Sequence, residues 1–523
     1  MARNITEVRL LSVPLGKDYK NTLYFADKTA QYNYFYGNTK HSIVDSSYQR
    51  KEGYIRFPEH IEELSGCNYL MYNNGFTGSW VYAFITEMVY KSDEVTWIYF
   101  EVDVLQTYMF DYQIKPSFVE REHCADDTFG KHTLPENLEC GEFVCEHEDQ
   151  VTELADSAYV VATTEKWSDN SDEWQATSGN RYDGIFSGVS YSAFNTSEMG
   201  KLYSFIEKYN NGKTDSITSI FMYPYALLSL TTDNGVFGQE NPHSLSKVFT
   251  RGAFEGFTPR NNKLYTFPYH YLLVSNNNGG SAVYQFEHFK DNTTEFKIYG
   301  CLTPGGSIRM VPMNYKNQDE NHEEGLNLGK YPICNWSSDE YTNWLTQNSV
   351  NIGLNIAAGV GQIIGGVAMA GGTGGLGLGV GGGVVAGGVS TIAGQLAQIH
   401  QMSFASPQSR GNINCGDVVA STKKNTFFFY QMRIKEEYMR IIDNFFDMFG
   451  YKTNRVKVPE TNHRENYWYT KTIDVNIVQK DGRSVPQGDL DKIKECFNRG
   501  VTFWRSGASV GNYEISNKPL TEV

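Results

Sequence analysis

The sequence predicts a mainly β protein with some α structure, an α+β chain, and three observations carry that expectation. Aromatic residues make up 14% of the 523 residues, with 35 Tyr and 31 Phe, a load typical of β-rich shells and interfaces. The first part of the chain, residues 1–120, alternates β-prone and polar residues without a sustained helical period. The clearest helical period comes only near the C-terminus. The length admits about two to four domains and ample core.

In chain order, the opening Met1-Ala2-Arg3-Asn4-Ile5-Thr6-Glu7 is too polar for a secretory signal, so synthesis in a cytoplasm is expected. The eight cysteines are then expected to be free thiols. Trp80–Tyr90 is a long β-prone run, Lys91-Ser92-Asp93-Glu94 reads as a turn, and Val95–Val104 alternates again; together they predict a β-hairpin. Between 124 and 340, short β-prone runs at Ala158–Thr163, Ile220–Leu228 and Tyr265–Val274 are separated by Asn/Asp/Gly-rich turns. His123, Cys124, His132, Cys140, Cys145 and His147 cluster in sequence, but zinc favours tighter Cys pairs with regular His offsets. No metal is therefore predicted. Ser, His and Asp never form a nucleophile motif such as GxSxG, so no catalytic residue is assigned.

From Tyr341 to Ser409 the chain carries no Asp, Glu, Lys or Arg, a run far outside the usual soluble composition. Two apolar segments, Val350–Ala370 and Leu376–Ile399, flank a Gly371-Gly372-Thr373-Gly374-Gly375 centre. Each, if helical, would span about 30 Å, the hydrocarbon thickness of a bilayer. The expected membrane-inserting residues are Ile352, Leu354, Ile356, Val360, Ile363, Ile364, Val367, Met369, Leu376, Leu378, Val380, Val384, Val385, Val389, Ile392, Leu396 and Ile399. Glycine costs about 1 kcal/mol against Ala in an aqueous helix. In lipid, four-residue spacings such as Gly361/Gly365, Gly379/Gly383 and Gly383/Gly387 let helices pack closely. A flexible linker would carry Ser, Thr and charge instead, and a permanent anchor would be richer in Leu and Phe with Lys/Arg flanks; a buried Gly-rich core hairpin is the third alternative. Gly377–Gly382 matches GxGxxG, but its neighbours are equally glycine-rich and no strand–turn–helix surrounds it, so no cofactor is assigned. The nearest charges, Glu323, Glu324, Asp339, Glu340 and Arg410, lead us to expect stronger insertion in mild acid, where the carboxylates protonate.

Further on, Tyr438, Ile441, Ile442, Phe445, Phe446 and Phe449 recur at three- and four-residue spacing, which predicts a helix over Gln431–Phe449 with charges on its other face and Gly450 as C-cap. A second helix is predicted over Gln487–Asn498.

Several segments carry a family resemblance: Asp18-Tyr19-Lys20-Asn21-Thr22, Gln31-Tyr32-Asn33, Tyr82–Glu87, the long Phe100–Phe110 (FEVDVLQTYMF), Ser117–His123 (SFVEREH), Tyr451–Pro459, Asn466–Thr472 and Asn498–Trp504. The chain resembles the tail-knob proteins that form the distal tail tube of small short-tailed phages of Gram-positive bacteria, the phi29 type. The resemblance implies one tail-tube β domain built from 1–123 and 410–523, an inserted β-rich domain at 124–340, and a Gly-rich membrane-active loop at 341–409. It implies a virion protein that assembles as a homo-hexamer, with viral DNA passing through its lumen without sequence-specific binding. Apolar loops would plug that lumen and then enter host cytoplasmic membrane lipids as a pore. Implied neighbours are the proximal tail or lower collar protein and a tail-tip wall-degrading enzyme. At −15 per chain, such a ring carries roughly −90, which keeps DNA from sticking and argues against an ordinary nucleic-acid-binding face. Two other classes compete: a wall-degrading tail enzyme, which needs paired carboxylates or a metal triad, and a pore-forming toxin, which needs an export signal and an amphipathic alternating hairpin.

Overall fold

A computed structural model describes residues 7–44, 48–49, 53–74, 78–168, 172–177, 181–182, 185–186, 188–211, 213, 216–228, 236–237, 244–302, 307–328, 333–334, 426–480, 482 and 484–520. The described residues are mostly β, 43% strand and 22% helical. It divides into two compact units, one made of Met1–Gly141, Pro259–Pro268 and Lys435–Val523, the other of Glu142–Thr258 and Tyr269–Ile434.

The first unit holds a seven-stranded antiparallel sheet in the order Thr39–Val44, Glu7–Leu11, Tyr69–Asn74, Ser79–Ser92, Val95–Val102, Tyr54–Phe57, Tyr48–Gln49. The predicted hairpin is there, with its first strand longer and its turn tighter than expected: that strand runs through Ser92 and the chain reverses over Asp93 and Glu94. The second strand stops at Val102 instead of Val104. Asp103 accepts hydrogen bonds from the backbone N–H groups of Leu105 and Gln106, both at 3.1 Å, and so caps a helix over Val104–Tyr108. The long resemblance motif therefore changes from strand to helix at its acidic residue. A helix at Lys28–Gly37 is also present where no helical period was read; Asp27 caps it through the Ala30 N–H at 2.8 Å.

A second sheet of this unit interleaves the chain ends. Its order is Asn21–Leu23, Val501–Trp504, Tyr467–Ile473, Ser117–Glu122, Tyr451–Lys457, parallel only in the first pair. Five of the family-resembling segments thus pair with one another although the two halves lie more than 300 residues apart in sequence. Their shared core holds Leu11, Phe35, Tyr69, Trp468, Phe497 and Trp504, all at most 2% exposed. The predicted C-terminal helix is observed at Gln487–Arg499, and the aromatic one at Glu436–Phe449. The latter begins five residues later than expected, because Phe428–Ile434 is a strand of the second unit.

In the second unit, Phe428–Ile434 lies between Phe143–Gln150 and His270–Ser275. Ser157–Thr163 is buried at every residue and sits in the middle of another sheet, between Ser190–Asn195 and Ile217–Pro224. Continuous burial explains why this run reads as unbroken apolar sequence rather than alternation. A third sheet pairs Ser244–Phe249, Thr294–Gly300 and Ile308–Tyr315. The run read at Tyr265–Val274 is divided: Asn262–Tyr265 is a 3-10 turn and only His270–Ser275 is strand.

Candidate functional site

The apolar segment 350–399, with every expected insertion residue and glycine on it, lies outside the described residues. Among the described residues no helix is long and apolar enough to cross a membrane.

The Cys/His cluster does not converge. His123 is buried, with its Nδ1 accepting from the Tyr469 N–H at 2.7 Å and its Nε2 donating to the Asp447 carbonyl at 3.0 Å. Both ring nitrogens are used by backbone, so the ring is a neutral linker; burial pushes it down to about 3. Cys124 Sγ stands 3.6 Å from His132 Nδ1, yet burial raises the thiol to about 12, the opposite of an activated nucleophile. Cys140 and Cys145 lean on the carbonyls of Leu138 and His147 instead. Among the described residues no group of three or more His, Cys, Asp and Glu is placed to hold a metal ion.

The densest polar site was not predicted. The short segment Pro259–Pro268 belongs to the first unit while the chain on both sides of it belongs to the second. This strap is held residue by residue. The Arg260 N–H donates to Asp443 Oδ2 at 2.9 Å, and its guanidinium pairs with Asp447 Oδ2 at 2.5 Å. Asn261 Nδ2 donates to Asp443 Oδ1 and to Asp447 Oδ1, both at 2.9 Å. Asn262 Nδ2 donates to the Asp127 carbonyl at 2.6 Å, and Tyr451 donates its hydroxyl to Asp127 Oδ1 at 2.6 Å. Lys263 forms an ion pair with Glu136, which also pairs with Arg121 and accepts from the Lys452 N–H at 2.9 Å. The Asp443 and Asp447 side chains are only 3% and 9% exposed. Burial raises Asp443 and Asp127, and raises Asp447 to about 6. Beside the strap opens a cleft of about 800 Å³, lined by Asp126, Asp127, Thr128, Arg260, His463 and Lys518 among others.

Asp443 and Asp447 correct the expectation that the helix's charges all face outward. They share the buried side with Met439, Ile442 and Phe446, and the signal was available: positions 439, 443 and 447 are one turn apart. The stripe residue Ile441, conversely, is 65% exposed. Chemically the arrangement holds a chain segment, since its carboxylates are occupied by the strap.

A family model described as the C-terminal domain of the Bacillus phage phi29 tail knob protein gp9 matches residues 237–518, and one for the N-terminus of the caudoviral major tail protein matches residues 4–113. The tail knob protein gp9 of Bacillus phage phi29 is 24% identical over an alignment of 605 positions, covering 98% of each chain. That of Bacillus phage B103 is 25% identical over 607, again covering 98% of each. The solved structure of the bacteriophage C1 tail knob protein gp12 superposes with a TM-score of 0.67 at 13% identity, over 98% of this chain and 100% of that one. At that identity the likeness speaks for the fold.

Proposed function

The chain belongs to the family of the phi29 tail knob protein gp9, and from that premise we propose that six copies close into a DNA-conducting tail tube whose apolar loops plug the lumen and then enter the host membrane. A structural role in the phage tail follows from the family itself; ring, conduit and membrane entry are our reading. The observation that carries it is the uncharged run Tyr341–Ser409. Such a run is costly to keep in water and suited to lipid. The domain scheme goes with this reading: a tube domain from 1–123 and 410–523, an inserted domain at 124–340 and the membrane-active loop at 341–409. Membrane-inserting side chains run from Ile352 to Ile399, and Gly361, Gly365, Gly379, Gly383 and Gly387 pack the loops together. The protein neighbours would be the proximal tail and a wall-degrading enzyme at the tip, with no catalysis by this chain.

Native mass spectrometry with electron microscopy tests the ring. Leakage of dye-loaded liposomes by the intact chain and by a chain lacking 350–399 tests the loop. The deletion is expected to leave rings intact and abolish leakage, with leakage by the intact chain stronger in mild acid. A deletion variant that leaks dye as well as the intact chain removes the membrane role. Sugar or peptide release from purified host wall by the deletion variant would replace the structural reading with an enzymatic one.

A further inference from the structure

Asp443 and Asp447 stand one turn apart on Glu436–Phe449, and a single amide nitrogen, Asn261 Nδ2, lies 2.9 Å from one oxygen of each. That nitrogen also lies 3.2 Å from the Asp443 carbonyl. One oxygen of each carboxylate thus converges on the same nitrogen, and the Asn261 backbone N–H donates to Asp443 Oδ1 as well, at 3.1 Å. Among the described residues the compensating charge is short. Arg260 is the cation in ion-pair contact with them, at 2.5 Å from Asp447 and 3.8 Å from Asp443, and it also donates to the Asn444 side chain and the Tyr513 carbonyl. Arg464 is near but is held by the carbonyls of Cys124 and Asn517. His123 reaches the Asp447 backbone with a neutral ring. Lys263 and Arg121 are engaged with Glu136. Asp127 adds further negative charge from the strap's other side, bonded to Tyr451, while Tyr467 and Tyr513 flank the pair as neutral phenols. Two buried acids facing one arginine leave a place for a proton between them.

We propose that the strap Pro259–Pro268 is a proton-set latch: one proton taken up by the Asp443–Asp447 pair tightens its hold on the first unit, and loss of that proton loosens it. No bond other than the carboxyl O–H forms or breaks. The proton comes from solvent through the half-exposed Arg260 side, and it removes the repulsion between the two carboxylates. Burial, with repulsion from Asp443, raises Asp447 to about 6. With the strap lifted, water would restore an ordinary carboxylate near 3.9. The docked form therefore binds the proton more tightly. Its extra hold is complete below the ordinary value and is lost as pH rises through about 6. The inference needs neither ring nor membrane.

Hydrogen exchange of the full-length protein, read on peptides covering 259–268, tests it, because the Arg260 and Asn261 amides themselves donate to Asp443. After correction for intrinsic exchange, protection is expected to rise about tenfold from pH 7.5 to 5.0. Peptides of Gln487–Arg499, in the same unit, should not share that rise. Asp447→Asn, which carries the hydrogen permanently, should be protected at both pH values with no slope; Asp443→Asn is the parallel variant should the first fold poorly. Wild-type protection that is flat or falls in acid overturns the latch. So does an Asn variant that keeps the wild-type slope, or a rise shared equally by Gln487–Arg499.

Discussion

The helices Glu436–Phe449 and Gln487–Arg499 are near twins that differ in one respect. Each buries an apolar stripe, Met439, Ile442 and Phe446 in one and Leu490, Ile493 and Phe497 in the other. Each stops at a glycine with positive φ, 63° at Gly450 and 95° at Gly500. Gln487–Arg499 keeps charges such as Glu495 and Arg499 in solvent, 63% and 55% exposed. Glu436–Phe449 turns two aspartates inward. A buried carboxylate costs several kcal/mol unless its lone pairs are met, so Glu436–Phe449 is tied to one particular partner, the strap, in a way that Gln487–Arg499 is not. Apolar stripes say that a helix is packed; a charge within the stripe says against what.

The largest expected effect separates the two glycines. A Cβ at Gly450 would lie 2.1 Å from the Glu122 carbonyl oxygen, which is backbone and cannot step aside. Gly450→Ala should cost about 3 kcal/mol or more. At Gly500 the obstacle is the Tyr469 hydroxyl at 2.0 Å, the end of a ring that can swing, and the loss should be nearer ~1–2 kcal/mol. Denaturant midpoints of the two variants check this; equal losses would show that the two helix ends are seated alike.

Acid should act on one twin. His123 donates to the Asp447 carbonyl and is held neutral at about 3, well below the ordinary histidine. A lowered base contributes stability above about 6.5 that is lost as pH falls towards its folded value. At pH 5 the loss should be about 2 kcal/mol in global unfolding, opposite in sign to the local tightening of the strap. His123→Gln should flatten that acid limb in a thermal midpoint series. An unchanged limb would place the acid-sensitive group elsewhere.

Removing one inward charge should matter more than removing an outward one. Asp443→Ala orphans donors from Arg260 and Asn261 and should cost about 2 kcal/mol. Glu495→Ala, whose Arg499 partner is 3.7 Å away in solvent, should stay within about 0.5 kcal/mol. Comparable costs would mean that the strap's hydrogen bonds are replaced by water.

The same contrast explains what could be read from the sequence. The hairpin Ser79–Val102 follows from alternation, and Gln487–Arg499 from local periodicity closed by a glycine; both are short-range signals. The start of Glu436–Phe449 is not local: Gln431 carries helical spacing, but its strand is claimed by Phe143–Gln150 and His270–Ser275. The break at Asp103 is one side chain capping two amides inside a β-prone run. The strap was invisible because Arg-Asn-Asn-Lys reads as an exposed turn until its carboxylate partners, about 130 residues before and 180 after in sequence, are known. The apolar run, the feature most conspicuous in sequence, lies where the structure describes nothing.

The smallest effect tests the stripe itself. Ile441 falls on the aromatic stripe by spacing, yet it is 65% exposed, whereas its neighbour Ile442 is 3% exposed. In the dispersed chain Ile441→Ser removes little buried area, so the cost should stay below about 0.5 kcal/mol. Ile442→Ser at the next position opens a cavity and buries a hydroxyl, at about 3 kcal/mol. Measuring both in dispersed chains and again in assembled rings sharpens the point. Burial within the chain already sets the Ile442 cost, which should be the same in both states. If Ile441 also stays near zero in rings, this face of Glu436–Phe449 remains in solvent after assembly. A cost above about 1.5 kcal/mol in rings alone would mean that a neighbouring copy covers it, and would make the most exposed apolar residue of this helix a contact between chains.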